Sequence, residues 1–219
     1  MVAREQFEIE LDKMKQKVID LAQGAKVQLQ DAVHALYQSD TSLAAEVVEA
    51  DKRLDAIDLD INETAILLIA RQQPVASDLR KLIVAIRIST DLERMADNAK
   101  NIARSTKHLG ENHGLEIHES LADMRDVALR MIDLAIHAYE QEDITIAKNL
   151  SEMDDLIDGM YANVLQELLE ETATNPQKIQ LIMQMAFCGR FIERYGDHLT
   201  NIAENIMYLV KGESLDLNE

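Results

Sequence analysis

Acidic residues stand four apart at four places in this chain: Asp51 with Asp55, Glu93 with Asp97, Asp154 with Asp158, and Glu193 with Asp197. On a helix, positions i and i+4 share one face and lie about 6 Å apart along the axis. Like charges at that spacing repel by roughly a few tenths of a kcal/mol. Asp58 extends the first pair by a turn, and Asn101 and Asn201 follow the pairs at 93/97 and 193/197 with neutral oxygen donors. The pairs adjoin apolar residues, Leu92 and Met95 in one case and Ile192 and Tyr195 in the other. Two such pairs facing one groove would bring four carboxylates together, which requires protons or cations. Oxygen-only ligands favour hard cations such as Mg, Ca, Mn or Fe. The competing reading is a solvated surface. With 40 acidic residues, some pairs arise by accident, and Arg94, Lys100, Arg104 and Arg194 could neutralise others. Four pairs at equivalent places in a repeat favour metal.

The remaining chemistry is thinner. His34 and His137 recur across the repeat, but a lone helical histidine is more often a packed or capping residue than a ligand. His198 follows Asp197 in one half only. A ferritin-like di-iron centre needs Glu-x-x-His, and none of the 6 histidines has Glu three residues before it. Cys188 falls on an apolar seam and reads as inert core. No Gly-rich phosphate loop and no nucleophilic serine motif is present. These features speak against an enzyme. Two alternatives remain open: a metal-dependent enzyme or metal store using the carboxylates, and a helical adaptor in which they are plain surface.

The elements that must carry these pairs come from an internal duplication. At an offset of 103, Asp20, Ala25, Ala32, His34 and Ala35 match Asp123, Ala128, Ala135, His137 and Ala138. Gln38, Asp40, Ala44, Glu49, Asp51 and Asp55 match Gln141, Asp143, Ala147, Glu152, Asp154 and Asp158. The offset then falls to 100, where Glu93, Arg94, Asp97, Asn101, Ile102 and Ala103 match Glu193, Arg194, Asp197, Asn201, Ile202 and Ala203. A short deletion in the second half accounts for the drift. Each half reads as three helices. Those of the first run from about Arg4 to Gln38, Ser42 to Arg71 and Val75 to His108, with Ser39-Asp40-Thr41 suited to an N-cap. Leu109 to Gly114 is the break between halves. The second half repeats the scheme. Its turns lie near Gln141-Glu142-Asp143 and Thr174-Asn175-Pro176, where Asn175 can cap and Pro176 can open the next helix. Gly212 ends the last helix.

Apolar spacing agrees. Ala85, Ile88, Leu92, Met95, Ala99 and Ile102 step by 3 and 4, as do Met185, Cys188, Ile192, Tyr195, Leu199, Ile202, Ile206 and Leu209. That is the seam of a bundle packed at shallow angles. Only 7 Gly and 2 Pro interrupt 219 residues, and 3 Phe, 5 Tyr and no Trp are poor material for sheets. The predicted fold is all-α: two tandem antiparallel three-helix bundles, residues 1–110 and 111–219. The net charge of -18 disfavours nucleic acid, whose affinity rests on Lys and Arg. A single cysteine fits a reducing compartment. Met1 to Asp12 has no signal-like apolar core, and no stretch approaches the roughly 18 apolar residues of a membrane span. The expectation is a cytoplasmic protein with no direct membrane insertion, membrane-associated only through partners.

Three segments carry a resemblance. Arg71-Gln-Gln-Pro-Val-Ala-Ser-Asp-Leu-Arg80, Leu92-Glu-Arg-Met-Ala-Asp97 and Ile192-Glu-Arg-Tyr-Gly-Asp197 are similar to the turn and E-x-x-x-D signatures of the PhoU family, accessory regulators of high-affinity phosphate transport. The last continues through His198-Leu-Thr-Asn-Ile202, and Tyr208-Leu-Val-Lys-Gly212 closes the likeness. The resemblance covers the whole chain in two tandem copies. It departs from the pattern at Ala96, where the first signature usually has Gly. It implies two three-helix bundles, with multinuclear iron or zinc on Asp51, Asp55, Glu93 and Asp97 and on Asp154, Asp158, Glu193 and Asp197. Together with the oxygen-donor argument, the candidate metals are Fe, Zn, Mn, Mg and Ca. The resemblance further implies a non-catalytic negative regulator of phosphate uptake and phosphate-starvation signalling. Its implied partners are the ATPase component of the phosphate-specific ABC transporter and the regulon's sensor histidine kinase, and it implies a homodimer.

Overall fold

The computed structural model describes residues 2–114 and 116–213. Within them, six α-helices account for the architecture and no strand occurs: α1 Val2–Gln38, α2 Thr41–Gln72, α3 Ser77–Leu109, α4 Ser120–Gln141, α5 Ala147–Thr174 and α6 Ile179–Lys211. The outer limits of the two expected units, Met1 and residues 214–219, lie outside the described residues, as does Leu115.

Helices α1, α2 and α3 pack on one another, and so do α4, α5 and α6. The two bundles meet where α3 lies along α6 and α1 along α4. The expected seams are the core. Ala85, Ile88, Leu92, Met95, Ala99 and Ile102 of α3 are buried, as are Met185, Cys188, Ile192, Tyr195, Leu199, Ile202, Ile206 and Leu209 of α6. One contiguous apolar cluster runs through both halves. Because α3 and α6 serve both their own bundle and the interface, any residue on them is placed from two sides.

Helix ends follow local chemistry. Asp40 accepts from Leu43 N at 2.9 Å and caps α2. Its repeat partner Asp143 accepts from Thr145 N at 2.8 Å. There a 3₁₀ turn, Ile144–Ile146, precedes α5. Pro176 takes the first position of a 3₁₀ turn, Pro176–Lys178, that leads into α6, while Asn175 makes no side-chain cap bond. Gly212 (φ 79°) ends α6 with its N–H on Tyr208 O at 2.9 Å.

The second half is not a full copy of the first. Helix α4 has 22 residues against 37 in α1. The difference lies at the N-terminal end, where α1 extends along α3 and Arg4 pairs with Asp78. In the second half residues 116–119 occupy the approach to α4 as irregular chain. Tyr37 anchors them: its hydroxyl donates to His118 O at 2.6 Å and accepts from Ala122 N at 3.0 Å.

Candidate metal centres

Asp51 and Asp55 lie on α2, Glu93 and Asp97 on α3, Asp154 and Asp158 on α5, and Glu193 and Asp197 on α6. Each half therefore presents one pair from its second helix to one pair from its third, at corresponding positions. The eight candidate ligands resolve into two groups, one per half. The two groups are not alike.

In the first half Asp51 is buried. Its Oδ1 accepts from Gln28 Nε2 at 3.0 Å, and its Oδ2 from Lys100 Nζ at 2.5 Å. The same ammonium also pairs with Asp97. Lys100 thus ties α2 to α3 with a positive charge set among the acids. Burial opposes that charge, but the bonds to Asp51 and Asp97 outweigh it and raise the Lys100 pKa above the usual lysine value. Burial raises the Glu93 carboxyl, and repulsion from Asp97, Asp55 and Asp58 adds to it. Asp55 is raised by burial and then by Asp51.

In the second half Asp154 and Glu193 are both more than nine-tenths buried. Oδ2 of Asp154 accepts from the Thr200 hydroxyl at 2.8 Å, whereas Oδ1 has no hydrogen-bond partner. Glu193 pairs with Arg190 through Oε1, and its buried Oε2 has no partner. Asp154, Asp158 and Asp197 each bring an oxygen to within 4.8 Å of the others. Among the described residues this is the one group of three acidic, histidine or cysteine side chains that converges so closely. Burial pushes the Asp154 carboxyl up to about 6, against the pull of the Thr200 hydroxyl. Burial, then the charge on Asp197, pushes Glu193 up to about 7, with Arg190 acting against it. Asp158 is raised by burial and by Asp197.

Buried carboxylate oxygens without donors are costly in proportion to their charge. Converging, donor-poor oxygens with a hydroxyl beside them suit a hard cation of coordination number six or more. The second-half residues therefore fit a metal ion.

Other candidates fall elsewhere. Asn101 Oδ1 accepts from Arg104 at 3.1 Å, and Asn201 Nδ2 donates to Asp91 Oδ1 at 3.4 Å, so the amide oxygen of Asn101 is already taken. Asp58 is taken by Asn62, which donates to its Oδ1 at 3.0 Å. His34 and His137 are exposed on α1 and α4, not on the helices that carry the carboxylate pairs. His198 is buried, with Nδ1 3.0 Å from Asp91 Oδ1, and bridges α6 to α3. Cys188 is fully buried, and burial pushes its thiol up to about 12, which suits an inert core residue. Of the four basic residues named as possible neutralisers, Lys100 performs that role; Arg94 and Arg194 are exposed.

Arg190, Thr200, Gly196 and Gln28 were not among the candidates. Gly196 matters because a Cβ there would come within 2.5 Å of Asp154 Oδ1. The bare Cα lets that carboxylate lie against α6. The available signal was the set of mismatches across the repeat, not the matches.

The PhoU domain profile matches residues 18–106 and again 121–206. The chain belongs to the PhoU family. It is 32% identical over 220 residues, spanning both chains fully, to a phosphate-specific transport system accessory protein PhoU homolog of Clostridium acetobutylicum. It is 31% identical to the phosphate-specific transport system accessory protein PhoU of Escherichia coli K12, covering 95% of this chain and 86% of that one. In three dimensions it is similar to the crystal structure of PhoU from Pseudomonas aeruginosa, with a TM-score of 0.89 at 31% identity, covering 94% of this chain and all of that one. A second PhoU crystal structure, that of the phosphate transport system regulatory protein from Streptococcus pneumoniae, has a TM-score of 0.88 at 28% identity, covering 96% and 99%. The first match begins at residue 18 and the second at 121, the offset of 103 seen in the sequence. The N-terminal extension of α1 therefore lies outside the duplicated unit.

Proposed function

We propose that this protein is an accessory regulator of phosphate-specific transport that acts by protein contact and not by catalysis. The observation that carries this reading is the full-length match to transport accessory proteins in two tandem PhoU domains. Each repeat, residues 1–110 and 111–219, is one three-helix unit of it. The regulator lowers phosphate uptake and phosphate-starvation signalling when phosphate is plentiful. Its partners are the ATPase component of the phosphate ABC transporter and the sensor histidine kinase of the regulon, and its working form is a homodimer. It works in the cytoplasm and reaches the membrane through these partners. No helix among the described residues is long and apolar enough to cross a membrane, so membrane attachment through partners suits them.

Metal belongs to this reading as a structural or regulatory ligand. Asp154, Asp158, Glu193 and Asp197 would hold it in the second half, and Asp51, Asp55, Glu93 and Asp97 are the matching set in the first. The bound cation would neutralise charge that burial makes unfavourable. Thr200 steadies Asp154, and Gly196 makes room for it.

A null strain tests the regulatory role. Deletion is expected to raise phosphate uptake and alkaline phosphatase output in rich phosphate, and the wild-type gene to reverse both. Unchanged output in the null strain would refute it. Metal analysis of purified protein tests the ligand: metal retained by the wild type and reduced when Asp158 and Asp197 are both changed to Asn supports it, and none in the wild type refutes it.

A further inference from the structure

Among the matched positions that differ between the repeats, three take a donor or bulk away from the second carboxylate group, while a fourth, Thr90 against Arg190, adds a cation to it. Lys100 in the first half corresponds to Thr200 in the second, Gln28 to Met131, and Ala96 to Gly196. In the first half, both oxygens of Asp51 are met by protein donors, Gln28 at 3.0 Å and Lys100 at 2.5 Å. The Lys100 side chain is only 14% exposed and contacts a carboxylate on each of two helices. In the second half, Met131 has no side-chain N–H to offer and Thr200 donates once. Gly196 leaves room for Asp154 Oδ1, which has no donor. The cation that is present, Arg190, is 47% exposed and pairs with Glu193.

We infer that Lys100 is a built-in counterion that makes the first carboxylate group independent of metal, so that the protein responds to a divalent cation through its second half alone. This rests on the metal-binding reading above. A metal entering the first group must displace an ammonium that already bridges Asp51 and Asp97. Displacement would leave that ammonium partly buried beside a second positive charge, which opposes binding twice over. In the second half Arg190 pairs with Glu193 on its own helix and acts on Asp158 across the groove, but among the described residues no cation forms an ion pair with carboxylates of both α5 and α6, as Lys100 does for α2 and α3. A metal there meets two buried oxygens without donors and three converging aspartates. The two repeats thus divide the work. In one, Asp51 and Asp97 are bridged by the chain's own lysine, and the other is completed by an ion from outside.

The test is a Mn²⁺ titration of the chelator-stripped full-length chain, reading free Mn²⁺ by EPR, with circular dichroism to confirm folding. Asp158→Asn with Asp197→Asn is expected to weaken wild-type binding by at least about tenfold. Asp55→Asn with Glu93→Gln is expected to leave it unchanged. Lys100→Thr should raise bound Mn²⁺ at saturation about twofold, from one group to two. It should also restore binding to the Asp158→Asn, Asp197→Asn chain. Lys100→Gln keeps an N–H for Asp51 and serves if Lys100→Thr does not fold. Thr200→Lys should abolish second-half binding by reproducing the first-half arrangement. The inference is overturned, with the metal reading intact, if Asp55→Asn with Glu93→Gln halves the bound Mn²⁺. The same holds if Lys100→Thr and Lys100→Gln fold and add none, or if Thr200→Lys binds as the wild type does. Absence of Mn²⁺ binding in the wild type and every variant overturns both.

Discussion

Replacing Glu193 by Gln should make the chelated protein more stable at pH 8 and leave it unchanged at pH 5. Glu193 is buried, one of its oxygens lacks a donor, and its pKa rises from 4.5 to about 7. An acid whose folded pKa exceeds its unfolded value contributes stability that is fully present below pH 4.5 and is lost as pH rises through about 7. The shift corresponds to at most about 3 kcal/mol. The attraction of Arg190 is already contained in it, because that pair lowers the value. Its partner Arg190 is half exposed, so solvent screens the pair and reduces the effect to about 1–2 kcal/mol. For a chain of this size about 1 kcal/mol moves Tm by about 2–4 °C, which gives roughly 2–8 °C. Gln cannot ionise, so the variant escapes the loss.

The assay is a set of thermal melts in chelator at matched ionic strength. Other carboxyls titrate alike in both proteins, and the difference between them isolates position 193. With metal at about a hundred times its dissociation constant the wild type gains about 2.7 kcal/mol by linkage. The variant, lacking a ligand, gains less, and the order of stability at pH 8 reverses. A difference of equal size at pH 5 and pH 8, or a Glu193→Gln protein that melts below the wild type in chelator at pH 8, would refute the reasoning.

Gly196→Ala should weaken Mn²⁺ binding by about tenfold, because the new Cβ displaces Asp154 Oδ1. The helical gain of about 1 kcal/mol from Gly to Ala should hold apo stability near the wild type, as thermal melts would show. Tyr37→Phe removes a hydroxyl bonded to His118 O and Ala122 N, and denaturant unfolding should show a loss of about 1–3 kcal/mol. Cys188 should resist alkylation by iodoacetamide in the native protein and react in denaturant; rapid native labelling followed by mass spectrometry would contradict its burial.

The seams were legible because a 3–4 spacing of Ile, Leu, Met and Ala has one reading on a helix, and every seam residue named on α3 and α6 is buried. Asp40 and Gly212 announced helix ends through their own backbone chemistry. Helix α3 begins at Ser77 and not at Val75, because Gln73 and Ala76 take φ of 47° and 50° to turn the chain around Pro74. The truncation of α4 was missed because the repeat matches begin only near residue 20 and say nothing of what precedes them. At the sites, pairing on one helix was readable from spacing alone. The convergence of Asp154, Asp158 and Asp197 was not, because it depends on how α5 sits against Gly196 of another helix. The depth of Glu193 was equally hidden, since α6 is packed from two sides. Lys100 stood unranked among four possible neutralisers and Arg190 was not among them, although each stands three residues from the acid it pairs with.

The contrast between the halves is a contrast in what holds the second helix to the third. Along α2 and α3 the acids are bridged by Lys100, so electrostatics adds to the contact of apolar faces. Along α5 and α6 the apolar contact remains, with Ile157, Val164 and Leu168 buried on α5. There the carboxylates of Asp154, Asp158 and Asp197 act against it. Arg190 sits at the edge and relieves only part of that repulsion. Both seams carry carboxyls raised by burial and mutual repulsion, but at α2–α3 Lys100 offsets part of that charge from within, whereas at α5–α6 Arg190 does so from the edge. A duplicated fold normally gives two equivalent sites. Here Lys100, Gln28 and Ala96 are matched by Thr200, Met131 and Gly196, and Thr90 by Arg190, so equivalent carboxylates in the two halves meet different donors and different space.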